Sequence, residues 1–266
     1  MNYSKIALLV AVALIVIGSF LKGETVESTA EQEIAKWRGD VDAYFQGRWL
    51  FKRHCQVCHG AYGKGDGEWV TDGWDVKPRN LRSGIFKYRS TPTGKLPTDD
   101  DLRKTIRFGL AGTVMPTFRN LPKRDMDVLI NYIKHMSRKW RDPKNYATPV
   151  KIPDRPDWYF DTDAYQSHVE NGEKLFTATC VACHGAKGKG DGPGAVALMD
   201  SWGDKIKPRD LTGGSFRRGD DPKAMFQTLV SGIDGTPMVS FREAFTDDQI
   251  WEVIAYIKTL KDKGAE

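Results

Sequence analysis

Two short runs of this chain are near copies of one another, and that duplication constrains the fold more than any other feature. Residues 55–67 read Cys-Gln-Val-Cys-His-Gly-Ala-Tyr-Gly-Lys-Gly-Asp-Gly; residues 180–192 read Cys-Val-Ala-Cys-His-Gly-Ala-Lys-Gly-Lys-Gly-Asp-Gly, identical at ten of thirteen positions. Internal repeats have to be found before a fold is assigned, and this one extends well beyond the motif. Upstream, Gly47, Leu50 and Phe51 correspond to Gly172, Leu175 and Phe176. Downstream, Lys77-Pro78-Arg79-Asn80-Leu81 returns as Lys207-Pro208-Arg209-Asp210-Leu211, followed by Phe86 and Phe216. Residues 109–115 return as 232–238, each run ending in a methionine, Met115 and Met238, with Phe118 or Phe241 three residues on. A closing stretch with Leu129, Ile130, Tyr132 and Ile133 matches Val253, Ile254, Tyr256 and Ile257 at helical spacing.

The pattern predicts an all-α chain of two tandem domains, at 41–140 and 164–266. Middle helices should start near Thr98 and Pro222, with Asp99–Asp101 and Asp220–Asp221 at the positive end of the helix dipole. No alternating strand pattern of useful length occurs. Between the copies, residues 141–163 hold Pro143, Pro149, Pro153 and Pro156, which favour extended backbone. Their Trp158-Tyr159-Phe160 cluster is expected to pack on the domains, with a partner-docking surface as the alternative. The loop from Phe86 to Met115 is seven residues longer than its counterpart. Covering a cofactor edge, meeting a partner and standing free in solvent are its three readings.

Cys-x-x-Cys-His is the attachment signal for c-type haem. Its spacing puts both thiols on one side of a helical turn, where each can add to a haem vinyl group, and the histidine next in sequence reaches the iron. Thus Cys55, Cys58 and His59 predict one covalent haem c, and Cys180, Cys183 and His184 a second. A thioredoxin-like dithiol would need a βαβ setting. A zinc site built from both pairs would leave the histidines and methionine loops unexplained. Met115 and Met238 share a repeat position beside proline and are the expected second axial ligands. Met126, Met136, Met199 and Met225 have no such counterpart and should fill cores. His54, His135 and His168 share no repeat position and are read as satisfied or exposed. Histidine–methionine ligation occupies both axial positions, which argues for electron transfer over catalysis.

A mean hydropathy of −0.50 excludes a polytopic membrane protein, and 11% aromatic residues exclude a disordered chain. The uncharged apolar run at residues 6–21 within segment 1–24 is different in kind. As a helix it reaches about 24 Å, short of a roughly 30 Å hydrocarbon core unless Tyr3, Lys5 and Lys22 extend it at the interfaces. An uncleaved anchor is favoured over a cleaved signal, because Ser28-Thr29-Ala30 lies far past the run. Residues 25–40 would then be a juxtamembrane linker, with the rest of the chain exported. The net charge of +5 is uneven. Residues 41–140 carry 19 Lys/Arg against 10 Asp/Glu, whereas residues 164–266 carry 13 against 15. The first domain, at +9, suits an acidic partner or anionic lipid.

Each repeat resembles a class I cytochrome c domain, and the pair resembles the membrane-anchored dihaem c-type cytochromes of bacterial respiratory chains. The resemblance implies that the carbonyls of Pro78 and Pro208 accept a hydrogen bond from His59 and His184. It also implies helix crossings of Gly47/Phe51 on Tyr132 and of Gly172/Phe176 on Tyr256. Arg79 and Arg209 would neutralise haem propionates, with surface ion pairing as the alternative. The function implied is single-electron transfer between a membrane respiratory oxidoreductase and an acceptor, as a tethered carrier or a haem subunit. The haem domains would lie on the periplasmic side of a bacterial cytoplasmic membrane. Redox proteins, at least one of them acidic, are the expected partners, and neither nucleic acid nor a small-molecule substrate is expected. The rival is a dihaem peroxidase-like enzyme, which would need one open axial position.

Overall fold

In the computed structural model, which describes residues 26–263 apart from residue 214, the helices follow the repeat. The first copy contains α1 (Val26–Gly39), α2 (Val41–His54), α3 (Gln56–His59), α4 (Asp99–Phe108) and α5 (Lys123–Met136). The second contains α6 (Thr162–Thr179), α7 (Val181–His184), α8 (Pro222–Ser231) and α9 (Asp247–Lys263). Long loops and short 3-10 turns join them, and the extended structure among the described residues is one isolated bridge between Met199 and Lys205. The expected anchor lies outside the described residues, among which no helix is long and apolar enough to cross a membrane.

Met126, Leu129, Ile130 and Ile133 fall on one face of α5 and are all buried. Ile250, Val253, Ile254 and Ile257 repeat that spacing on α9. Each full burial of such a side chain is worth about 1.5–3 kcal/mol. These faces pack against α2 and α6 respectively, and glycine sets the approach. A Cβ on Gly47 would run into the carbonyl oxygen of Val128 and lie 2.7 Å from Tyr132 Cβ. One on Gly172 would meet the backbone of Glu252. Phe51 and Tyr132 then pack as tilted rings at 5.5 Å between centroids, and Phe176 and Tyr256 at 5.3 Å. Both crossings stand where the resemblance implied them.

Helix α4 begins in a capping box: Thr98 Oγ1 accepts from the Asp101 N–H at 3.1 Å, and Asp101 Oδ2 accepts from the Thr98 N–H at 3.0 Å. Asp101 is buried and also accepts from the N–H and hydroxyl of Ser90, both at 2.7 Å, so one carboxylate ties the helix start to the preceding loop. Thr98→Ala should lower the stability of the first domain by about 1 kcal/mol, read as a lower urea midpoint at unchanged slope. Helix α8 is capped by Asp221, whose carboxylate accepts from the Lys223 N–H. Asp220 instead pairs with Lys261 of α9.

Several segments differ from expectation. Residues 26–39, read as a linker, form a helix that inserts Ile34 and Trp37 into the first core, and Asn131 of α5 donates to the Trp37 carbonyl at 3.0 Å. Trp158 and Tyr159 pack on the second domain as expected: Trp158 stacks on His168 at 4.1 Å, and Tyr159 joins the core. Phe160 remains exposed beneath Arg155. Met126 and Met225 are buried, whereas Met199 is 46% exposed because its segment is a surface loop.

The two halves meet along a polar seam. Lys87 reaches Asp200 at 3.3 Å and Lys77 reaches Asp204 at 3.2 Å. The Arg79 guanidinium lies 3.6 Å from the Trp202 ring centroid and 3.8 Å from Asp200. Arg89, fully buried, reaches Asp234 at 2.8 Å. The basic domain therefore meets its first acidic partner within its own chain.

Candidate functional site

The glycine-rich segment after each cysteine motif wraps back over the short helix that carries it. Gly65 N–H donates to the His59 carbonyl at 2.9 Å and Gly67 N–H to the Cys58 carbonyl at 3.1 Å; Gly190 and Gly192 repeat this on His184 and Cys183. A Cβ on Gly67 would collide with the Val57 carbonyl, so only glycine lets the loop lie this close. The loop then sends Leu81 and Leu211 into the domain cores.

Each histidine is oriented by one backbone carbonyl. His59 Nδ1–H donates to Arg79 O at 3.0 Å, and His184 Nδ1–H to Arg209 O at 3.2 Å. This corrects the expectation for Pro78 and Pro208: in both repeats the acceptor is the following residue. The prolines turn their carbonyls toward Gly65 and Gly190, where a side chain would clash. Burial lowers the pKa of both imidazoles, which favours the neutral ring. With Nδ1 committed to a carbonyl, Nε2 keeps its lone pair. Burial also pushes the Cys55 thiol up to about 12 and raises those of Cys58 and Cys180. None of the four cysteines is in a disulfide.

The methionine loops are built alike. Thr113 Oγ1 donates to the Leu110 carbonyl at 2.8 Å and accepts from the Met115 N–H at 3.1 Å. Thr236 does the same with Ile233 and Met238, at 2.7 and 3.2 Å. Gly109 and Gly232, at φ +64° and +63°, turn the chain into these loops. A Cβ at Gly109 would come within 2.6 Å of the Met115 carbonyl oxygen. The threonine hydroxyl thus fixes the backbone from which each thioether projects.

Cys55, Cys58, His59 and Met115 line a cavity of ~1990 Å³, and so do Cys180, Cys183, His184 and Met238. It is one continuous space spanning both domains. Leu102, Ile106, Phe176 and Leu229 are among its apolar walls. Near the seam the lining becomes basic, with Arg79, Lys87, Arg209, Arg217 and Arg218 around the half-buried Tyr88. Arg209 Nε is buried without a partner, although its Nη2 donates to the Ser215 carbonyl at 2.7 Å. The donor set fits two haems: paired thiols, an imidazole with a free Nε2 and a thioether in each half, with the unpartnered Arg209 Nε placed to meet a carboxylate.

Sequence reasoning assigned no site role to Lys87, Tyr88, Arg217, Arg218 or Trp202, although Lys87 and Arg217 share a repeat position after Phe86 and Phe216. The unusual length of the loop carrying Lys87 and Tyr88 was the available signal. Of the three remaining histidines, His135 Nδ1 bonds the Asn131 carbonyl at 3.0 Å and His168 bonds Glu252 at 2.7 Å. His54 lines the cavity edge-on to Phe118.

The cytochrome c family profile matches this chain twice, at residues 46–137 and 169–261. The chain is 23% identical over 223 residues to the Cbb3-type cytochrome c oxidase subunit FixP of Azorhizobium caulinodans. That match covers 81% of this chain but 59% of the relative, so the chain spans about three fifths of that protein's length. It is 24% identical over 239 residues to the Cbb3-type cytochrome c oxidase subunit CcoP of Azospirillum brasilense, covering 88% of this chain and 68% of that one. Among solved structures, a chain of the Kuenenia stuttgartiensis reducing HAO-like protein complex Kustc0457/Kustc0458 superposes with a TM-score of 0.72. It is 33% identical, with 81% of this chain and 95% of that chain covered. The duplicated motifs, the paired sites and both profile matches lead to one conclusion: the chain belongs to the cytochrome c family, as two tandem domains that each carry a covalently bound haem c.

Proposed function

We propose that this protein transfers single electrons as a dihaem subunit of a larger respiratory complex, linking a membrane oxidoreductase to an acceptor. The observation that carries the reading is the equivalent placement of a histidine and a methionine in both halves of one cavity. When bound, haem supplies a one-electron iron couple. In this reading Cys55 and Cys58 hold the first haem and Cys180 and Cys183 the second. His59 and His184 present Nε2, while Met115 and Met238 present their thioethers from loops that Thr113 and Thr236 hold in place. Arg79 and Arg209 face the propionates. With a histidine and a methionine committed to each iron, no ligand position would be left for a substrate, which speaks against peroxidase-like chemistry.

The haem-bearing units are residues 41–140 and 164–266, and residues 1–24 anchor them on the periplasmic side of the membrane. The subunit reading draws on the relatives, whose names describe subunits of an oxidase and a protein complex. Potentiometric titration should resolve two one-electron transitions in thioether-linked haems, and neither reduced haem should bind carbon monoxide. Ready carbon monoxide binding at either haem would reject the saturated carrier.

A further inference from the structure

The loop that is seven residues longer in the first domain lines the cavity with Lys87 and Tyr88 and exposes Pro92, Thr93 and Gly94 at its tip. It reaches into the other domain. Arg89 Nη2 donates to the Ser231 carbonyl at 2.8 Å and meets Asp234 Oδ1 at 2.8 Å, while its Nε donates to the Pro92 carbonyl of its own loop. Thr93 Oγ1 donates to the same Ser231 carbonyl at 2.9 Å, and Gly94 N–H donates to Asp234 Oδ2 at 2.9 Å. Ser231 is the last residue of α8, and Asp234 lies in the loop that runs from it to Met238. The grip is returned. Arg217 of the second domain donates from Nη1 to the carbonyls of Ala111 at 2.8 Å and Gly112 at 2.9 Å, inside the loop that ends at Met115. Ala111 and Asp234 occupy the same repeat position, so each domain holds the other's methionine loop at the same place.

The contacts inside a methionine loop are few: one threonine hydroxyl and the turn bonds that close it. Such a segment opens locally at low cost unless something outside secures it. Charged donors to carbonyls, and a buried guanidinium on a carboxylate, are among the stronger polar contacts available. We propose that Arg217 and Arg89 are positioning residues acting in trans: Arg217 keeps Met115 on the first haem and Arg89 keeps Met238 on the second. Retention of the axial methionine at each haem then depends on docking of the opposite domain, and loosening one domain exposes the iron of the other. This rests on the methionine ligation proposed above.

The test uses the full-length dihaem protein and imidazole as a competing ligand. Proton magnetic resonance of the reduced protein gives each ligating methionine methyl its own shifted signal, assigned with Met115→His and Met238→His variants. Oxidised protein titrated with imidazole, then followed by loss of the thioether–iron charge-transfer absorption, reports how easily each methionine is displaced. Arg217→Gln should tighten imidazole binding at the first haem about tenfold and leave the second near its original value. Arg89→Lys, which keeps the charge at a buried site but loses the fork, should do the reverse. Arg217→Lys should fall between Arg217→Gln and the unmodified protein. A change confined to the haem of the mutated domain, or no change at either haem, overturns the proposal. Absence of methionine methyl signals from the unmodified protein would instead overturn the ligand assignment, and the proposal with it.

Discussion

Met238→His is expected to lower the reduction potential of the second haem by on the order of 0.2 V, a fraction of the roughly 0.8 V range that axial ligands command. Imidazole is the stronger donor and favours the oxidised iron, whereas a thioether raises the potential. At about 59 mV per decade for one electron, the shift moves the equilibrium by about three orders of magnitude. Thr236 fixes the loop backbone through the Met238 N–H, so the new side chain starts from the same anchor point. Spectroelectrochemistry should show one transition displaced and the other in place, with thioether charge-transfer absorption roughly halved. Met115→His should give the complementary result. An unmoved potential in a folded variant would remove these methionines from the iron.

Gly47→Ala should produce a large loss of stability without touching the haem chemistry. The added methyl is aimed at the Val128 backbone and Tyr132 Cβ, neither of which is a flexible side-chain end. Overpacking of that kind costs up to about 3 kcal/mol. Replacing glycine by alanine within a helix recovers about 1 kcal/mol of propensity. The steric effect wins, leaving a net loss of about 2 kcal/mol. For a domain of this size that corresponds to a fall of about 8–16 °C in melting temperature, measurable by circular dichroism. Gly172→Ala should weaken the second domain in the same way, because its methyl would point into the backbone of Glu252. A neutral or stabilising result at both positions would mean that the helices cross with more room than described.

What could be read in advance was whatever chemistry enforces locally. Two thiols and a histidine must follow one another closely to work on one haem, so residues 55–59 and 180–184 announce themselves. The methionines became visible because duplication supplied a second copy against which to judge them. Helix faces followed from apolar spacing in α5 and α9. The carbonyl that orients each histidine was misplaced by one residue, since the choice between Pro78 and Arg79 depends on a turn no periodicity encodes. Helix α1 was obscured because Glu31, Glu33, Lys36 and Arg38 dominate its composition, while Ala30, Ile34 and Trp37 supply the buried stripe among its described side chains. Arg89, Arg217 and Trp202 were out of reach for another reason. Their partners lie in the other domain, and no spacing within one copy tells which loop of the other copy it will meet.

The polar seam also alters how ionic strength should act on this molecule. Lys77, Arg79, Lys87 and Arg89 belong to the excess that would attract an acidic redox protein, yet each faces Asp200, Asp204 or Asp234. Added salt screens exposed pairs far more than buried ones. The outer links, Lys77 with Asp204 foremost, would slacken while Arg89 held. Salt therefore acts on two things at once, the encounter with a partner and the tightness with which the two halves are clasped. A rate that falls with salt in this protein is a sum of both, and the charge count alone overstates the share belonging to the encounter.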